Sequence, residues 1–277
     1  MTINTEPLVN SPSLWQAHFP WPRASDHKYL RGHVLVLGGA MMTGAARLSA
    51  LAAGRIGAGL VTIAAPLPVW PIYASALTHV MVQPFISVHD WEGLLSDSRK
   101  NVIVVGPGAG VSEDTRQHTL SALKTARTVV IDADALTAFS SDPDTLFSAI
   151  QGPCVMTPHE GEFACVFTLP GNRLERAVAA AQLSGAVVIL KGYETIIASP
   201  DGQAVVNTDA PSELATGGTG DVLTGIVAGL LAQGMDPFWA AVAAVWCHSD
   251  AARRFGAGLV ADDLPTMLPL VLKHLKS

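Results

Sequence analysis

The residue with the sharpest chemical implication is Asp221. It stands in ATGGTGDVLTGIVAGLLAQG, residues 215–234, directly behind the run Thr216-Gly217-Gly218-Thr219-Gly220. That run reads as a flexible turn opening an apolar helix. A helix N-terminus presents unpaired backbone N–H groups and a partial positive charge. Glycines let those amides approach phosphate oxygens closely. An acid in the first turn can then take a proton from a hydroxyl held beside the phosphate. Gly217, Gly218 and Thr219 are the candidate phosphate cradle, and Asp221 is the candidate base. The plainer alternative is an ordinary glycine loop whose acid complements the helix dipole. The length of the segment, with a buried helix at once behind it, argues against that alternative.

Other segments are weaker alone. Gly106-Pro107-Gly108-Ala109-Gly110 permits close approach of a ligand to backbone, or is a rigid loop. Gly38 to Gly44 follows an apolar run without making GxGxxG, and Thr43 is expected to cap the helix behind it. Thr157-Pro158-His159-Glu160-Gly161-Glu162 offers a histidine that can bond a ligand or shuttle a proton. No second His or Cys stands at a zinc-ligand spacing, so no metal ligand is assigned. In Lys191-Gly192-Tyr193-Glu194-Thr195, Lys191 can pair with a phosphate, but a solvated turn lysine is the favoured reading of that segment alone. Asp132 and Asp134 are expected to cap the following helix, with water-mediated Mg²⁺ contact as the alternative. GxxxxGK[ST] is absent.

These segments sit at the ends of a regular pattern. Short β-branched runs occupy 33–37, 60–64, 102–105, 129–131, 154–156 and 186–190. Helical stretches at 44–56, 113–124 and 173–183 fall between several of them. Such alternation predicts an α/β fold with a mostly parallel central sheet and helices on both faces. Continuous apolar runs suit strands buried on both sides. Residues 195–198 and 204–206 flank Pro200-Asp201-Gly202, a hairpin signal. Three helices, 220–232, 237–255 and 262–275, then make a helical C-terminal third. Five strand exits carry the unusual residues, and open parallel sheets bind ligands at such exits. Residues 1–25 read as an arm that packs on a neighbour through Trp15, Phe19 and Trp21 or stays mobile, and 26–277 as one domain.

Composition narrows the function classes. Of 277 residues, 49% are hydrophobic and 14% charged, the opposite of a disordered chain. A mean hydropathy of +0.35 implies a large core or a surface covered by a partner subunit. The net charge is -6 and no basic cluster exceeds Arg253-Arg254, so nucleic-acid binding has no electrostatic footprint. The first residues lack a signal-peptide pattern and no apolar stretch reaches ~20 residues, so a cytoplasmic protein away from membranes is expected. Three cysteines, Cys154, Cys165 and Cys247, without a CxxC read as reduced, buried thiols.

In order, SDHK (25–28), GHVLVLGG, TGAARLSALAAGRIGAGLVTIA, GPGAG, DADAL, TPHEGEF, LKGYET and ATGGTGDVLTGIVAGLLAQG resemble the ADP- or ATP-dependent NAD(P)H-hydrate dehydratases of the ribokinase-like superfamily. The resemblance implies a ribokinase-like fold and a nicotinamide-coenzyme repair reaction. The S epimer of hydrated NADH or NADPH would be dehydrated at the expense of ADP or ATP with Mg²⁺. Carried over position by position, Ala45, Gly108, His159 and Asp221 would touch the hydrated coenzyme, and Lys191, Gly192, Tyr193, Glu194, Thr195 and Gly220 the nucleotide. The resemblance also implies a homo-oligomer, with a tetramer favoured, and a stand-alone dehydratase working beside a separate NAD(P)H-hydrate epimerase. One departure is that Asp209-Ala210-Pro211-Ser212-Glu213 replaces a Gly-Asn-Pro-Gly-like turn before ATGG. The rival is a kinase of the same fold acting on a vitamin-precursor alcohol, such as a hydroxymethylpyrimidine or hydroxyethylthiazole. A non-catalytic nucleotide-binding protein is the rival from another class.

Overall fold

The computed structural model describes residues 7–277. Its centre is a sheet whose strands alternate between two cores, since successive side chains of a strand face opposite sides. The strands are β1 (Leu8–Val9), β2 (His33–Leu37), β3 (Leu60–Pro66), β4 (Met81–Phe85), β5 (Val102–Val105), β6 (Thr128–Ile131), β7 (Cys154–Met156), β8 (Val187–Leu190), β9 (Thr195–Ala198) and β10 (Ala204–Asn207). Their order is β1-β10-β9-β8-β7-β6-β5-β2-β3-β4. Strands β2 to β8 pair in parallel, and β9 runs antiparallel to both β8 and β10. The expected hairpin forms, with Ser199 N–H donating to the Gln203 carbonyl at 2.9 Å.

The helices are α1 (Pro12–Trp15), α2 (Thr43–Ile56), α3 (Trp70–Ala76), α4 (Val88–Leu95), α5 (Glu113–Leu123), α6 (Asp134–Thr137), α7 (Pro143–Ser148), α8 (Glu160–Val166), α9 (Arg173–Ser184), α10 (Thr219–Ala232), α11 (Pro237–Phe255) and α12 (Asp263–Lys276). Val34, Val36, Val102 and Val104 face a core shared with α2, α10, α11 and α12. Leu35, Leu37, Ile103 and Val105 face a second core under α4, α5, α8 and α9. The mostly parallel sheet with helices on both faces and a helical final third is therefore observed. Two elements of the sheet lie outside the sequence pattern. Strand β4 carries Pro84 and is mostly exposed, so no apolar run marks it. Strand β1 is two residues long.

The chain turns back between β2 and β5. Strands β3 and β4 extend the sheet on one side of β2, and β5 continues it on the other. This is the switch point at which open parallel sheets form a ligand crevice. Helix α10 crosses α2 there at close range. A Cβ at Gly225 would overlap the Ser49 carbonyl oxygen and lie 2.8 Å from Ala52 Cβ. Only glycine allows that approach, and it sets the start of α10 against the crevice.

Residues 1–6 of the expected arm lie outside the described residues. The remainder packs on this chain itself. Val9 pairs with Val206, and Trp15 is fully buried, its ring 5.7 Å from Trp246 of α11.

Candidate active site

The turn before α10 is built as the glycines suggest. Gly218 adopts φ +90° at the N-cap, a left-handed conformation that L side chains rarely take, and a Cβ there would lie 2.8 Å from Leu48 Cδ1. The Thr219 hydroxyl donates to the Leu214 and Thr216 carbonyls at 2.9 and 3.1 Å. The Thr219 hydroxyl thereby braces the turn at the start of α10. Gly217 is exposed with open space around it. Ser49 of α2 donates to the Asp221 carbonyl at 2.8 Å and to the Ala45 carbonyl at 3.2 Å. This places Ala45 next to Asp221. A Cβ at Gly108 would lie 3.1 Å from the Ala45 Cβ. Ala45, Gly108 and Asp221, far apart in sequence, thus meet at the switch point.

Asp221 is half-buried, and burial pushes its carboxyl from the usual 3.8 up to about 7, helped by the negative charges of Asp132, Glu162 and Asp134 and opposed by Lys191. A carboxylate so shifted is poised to accept a proton near neutral pH.

Lys191 corrects the expectation of a solvated turn lysine. Its Nζ donates to Asp132 Oδ1 at 2.9 Å and lies 3.5 Å from Glu162 Oε2, with the side chain 18% exposed. Burial alone would lower its pKa, but Asp132 and Glu162 overcome that and hold it above the usual lysine value. A Cβ on Gly220 would sit 3.3 Å from Nζ, so the ammonium hovers over the first turn of α10.

Asp132 and Asp134 do not cap a helix, contrary to expectation. The N-cap of α6 is Ala133, with no side-chain cap. Asp132 is 1% exposed and takes Thr224 Oγ1–H at 2.7 Å as well as Lys191. Asp134 accepts the Gly110 N–H at 2.8 Å, tying the GPGAG turn to α6. Thr43 is likewise not a cap, because Met42 holds that position and Thr43 begins α2. His159 caps α8 in a reciprocal arrangement: its Nδ1 accepts the Glu162 N–H at 3.1 Å and its own N–H donates to Glu162 Oε2 at 2.8 Å. Its ring still lines the cavity described next.

Beside the turn lies a cavity of about 630 Å³. Its walls include His159, Lys191, Gly192, Tyr193, Thr195, Thr219 and Gly220 from the expected set, with an apolar side of Pro211, Leu214, Leu223 and Val245. Ala45, Gly108, Glu194, Gly217, Gly218 and Asp221 are not in its lining. Asp221 adjoins it as the next residue after Gly220. The 209–213 loop contributes Ala210, Pro211 and Ser212 to the wall, and Arg253 pins it through Asp209 Oδ2 at 2.7 Å.

Several residues of the site carry no local sequence signal. Arg173 Nη2 donates to the Glu194 carbonyl at 3.1 Å and to the Leu190 and Lys191 carbonyls at 3.3 Å, shaping the KGYET turn. His248 of α11 lines the cavity, and burial lowers its pKa to about 4, so it is neutral. Glu162 alone was detectable, as the third residue of a capping box begun by His159. Among the described residues no group of three or more His, Cys, Asp or Glu could hold a metal ion.

The profile of the NAD(P)H-hydrate dehydratase family matches residues 34–272. The bifunctional NAD(P)H-hydrate repair enzyme of Salinibacter ruber is 39% identical over 91% of this chain and 50% of its own length. The chain spans about half the length of the curated relatives it matches. The ADP/ATP-dependent NAD(P)H-hydrate dehydratase of Bacillus subtilis, co-crystallised with ATP/Mg²⁺, superposes with a TM-score of 0.85 at 30% identity, covering 99% of this chain and 100% of that one. A ribokinase-like superfamily protein of Enterococcus faecalis also gives 0.85, at 25% identity over 99% of both chains, so the fold is ribokinase-like. With motif order, sheet topology and family profile in agreement, this chain belongs to the NAD(P)H-hydrate dehydratase family.

Proposed function

We propose that this chain dehydrates the S epimer of hydrated NADH or NADPH, consuming ADP, or ATP in its place. The observation that carries the proposal is the half-buried Asp221 carboxyl in the first turn of α10, directly after Gly220, with the Lys191 ammonium over that turn. Ala45, Gly108, His159 and Asp221 would hold the hydrated ring. Lys191, Gly192, Tyr193, Glu194, Thr195 and Gly220 would hold the nucleotide, with Gly217, Gly218 and Thr219 presenting backbone donors to the phosphates. The apolar side of the cavity suits a purine.

Hydroxide is a poor leaving group and phosphate a good one. Asp221 takes the proton of the ring hydroxyl, whose oxygen forms a bond to the terminal phosphorus. The bridging P–O bond breaks and AMP leaves when ADP is the donor, or ADP when ATP is. Amides at 218–220 and Lys191 stabilise charge on the transferring group. The ring nitrogen lone pair then expels phosphate from C6, and loss of a proton from C5 restores the dihydronicotinamide.

Among the described residues no group of three or more His, Cys, Asp or Glu side chains is placed to hold Mg²⁺. Magnesium is commonly carried by substrate phosphates, so Mg²⁺ would ride on the nucleotide.

Among the described residues no helix is long and apolar enough to cross a membrane. A cytoplasmic homotetramer working alongside NAD(P)H-hydrate epimerase activity completes the proposal. The test is incubation of hydrated NADH with ADP or ATP and Mg²⁺. Recovery of the reduced-nicotinamide absorbance with release of inorganic phosphate is expected. A lasting phosphorylated organic product, or no recovery, would overturn the reading in favour of a kinase or a binding protein.

A further inference from the structure

We propose that Asp132 is a positioning residue, whose buried carboxylate, fixed by Thr224, holds the Lys191 ammonium over Gly220 where the phosphoryl group passes Asp221. The inference rests on the proposed phosphoryl transfer and deepens it.

Three contacts define the device. Thr224 Oγ1 donates to Asp132 Oδ2 at 2.7 Å, and its oxygen lies 3.3 Å from the Thr157 hydroxyl. Lys191 Nζ donates to the other oxygen, Oδ1, at 2.9 Å. Both carboxylate oxygens are thus engaged in a group that is 1% exposed. Thr224 lies three residues beyond Asp221 on α10, so the helix that carries the base also carries the anchor of the cation. The base and the ammonium are thereby registered through one rigid element. The Lys191 backbone is fixed independently, its N–H donating to the Pro158 carbonyl at 2.8 Å. The direction of the long side chain is left to the carboxylates, with Asp132 Oδ1 at 2.9 Å the nearer and Glu162 Oε2 at 3.5 Å the more distant.

The charges around Asp221 are Asp132, Asp134, Glu162 and Lys191. The neutral His248 lies near Lys191, and α2 presents the uncharged Ser49 hydroxyl to the Asp221 backbone. Removing the Asp132 charge therefore has two separable effects. The ammonium loses its direction, and the base loses a negative neighbour.

The experiment compares wild type, Asp132→Asn and Thr224→Val in the hydrate assay across pH, with ADP or ATP varied. Asp132→Asn is expected to lower plateau kcat about tenfold while leaving nucleotide KM unchanged or lower, because the site becomes more positive. Its acid limb should move down by about one pH unit, the usual size for loss of a nearby like charge. Thr224→Val keeps every charge, so kcat should fall several-fold with the limb unmoved. A merely structural role would lower Tm and raise KM while plateau kcat stays unchanged, and that result overturns the proposal. If Asp132→Asn does not fold, Thr224→Val decides, and unchanged kcat overturns it. If wild type shows no turnover, the dehydratase reading fails on its own. The proposal is then read from the Lys191 ammonium by ¹⁵N NMR, where a resolved Nζ signal in wild type that is lost or averaged in Asp132→Asn is expected and identical signals overturn it.

Discussion

Replacing Asp221 by Asn should cost activity and add stability, and the stability gain should grow with pH. The folded protein raises this carboxyl from 3.8 to about 7. At ~1.36 kcal/mol per unit, that rise corresponds to at most about 4 kcal/mol, which partial exposure reduces. The sign follows from proton binding. The folded state holds the proton more tightly than the unfolded chain, so the contribution of this group is fully present below about 3.8 and is lost as pH rises through about 7. Asn has no charge to bury at any pH. Between pH 5.5 and 8.5 its advantage over Asp should therefore grow by about 2 kcal/mol, or about 4–8 °C in Tm for a chain of this size. Thermal melts of both proteins at the two pH values measure it. Turnover should meanwhile fall by about 10²–10⁴-fold, the usual contribution of a general base. A Tm difference that does not widen with pH would refute the claim that Asp221 is held above its ordinary range.

Other outcomes follow from packing and exposure. Gly225→Ala should destabilise by about 1–3 kcal/mol in chemical denaturation, because the new methyl overlaps the Ser49 carbonyl of α2. A thiol reagent should label Cys165 in the native protein and all three cysteines after denaturation. Burial pushes Cys154 up to about 12 and raises Cys247 further, whereas Cys165 is only half-buried. Labelling of Cys154 without unfolding would contradict that core. Arg253→Ala should raise nucleotide KM several-fold at nearly constant kcat, since it frees the Asp209 loop that walls the cavity without touching the reacting groups. An unchanged KM would show that the loop holds its shape unaided.

Much of the scaffold was legible because the strands are apolar runs and the helices between them are alanine-rich. The glycine turn before Asp221 was legible for a related reason: it needs a residue type that few other places need. The partners of Asp132 were not. Lys191 stands 59 residues away along the chain and Thr224 92. An aspartate followed by a short helix locally resembles a cap, and only tertiary contact shows that its carboxylate turns inward. Lys191 was misread for the same reason, since its counter-charges come from two other strand exits. Helix α8 was hidden by Pro158 and Gly161, residues that ordinarily signal a turn.

The two ends of the sheet have a consequence for how copies of this chain can meet. One end is a stub of two residues, Leu8–Val9, and the other carries Pro84, which has no N–H to donate to an incoming strand. Both margins are poor templates for further pairing, which protects a large apolar sheet from growing into fibres.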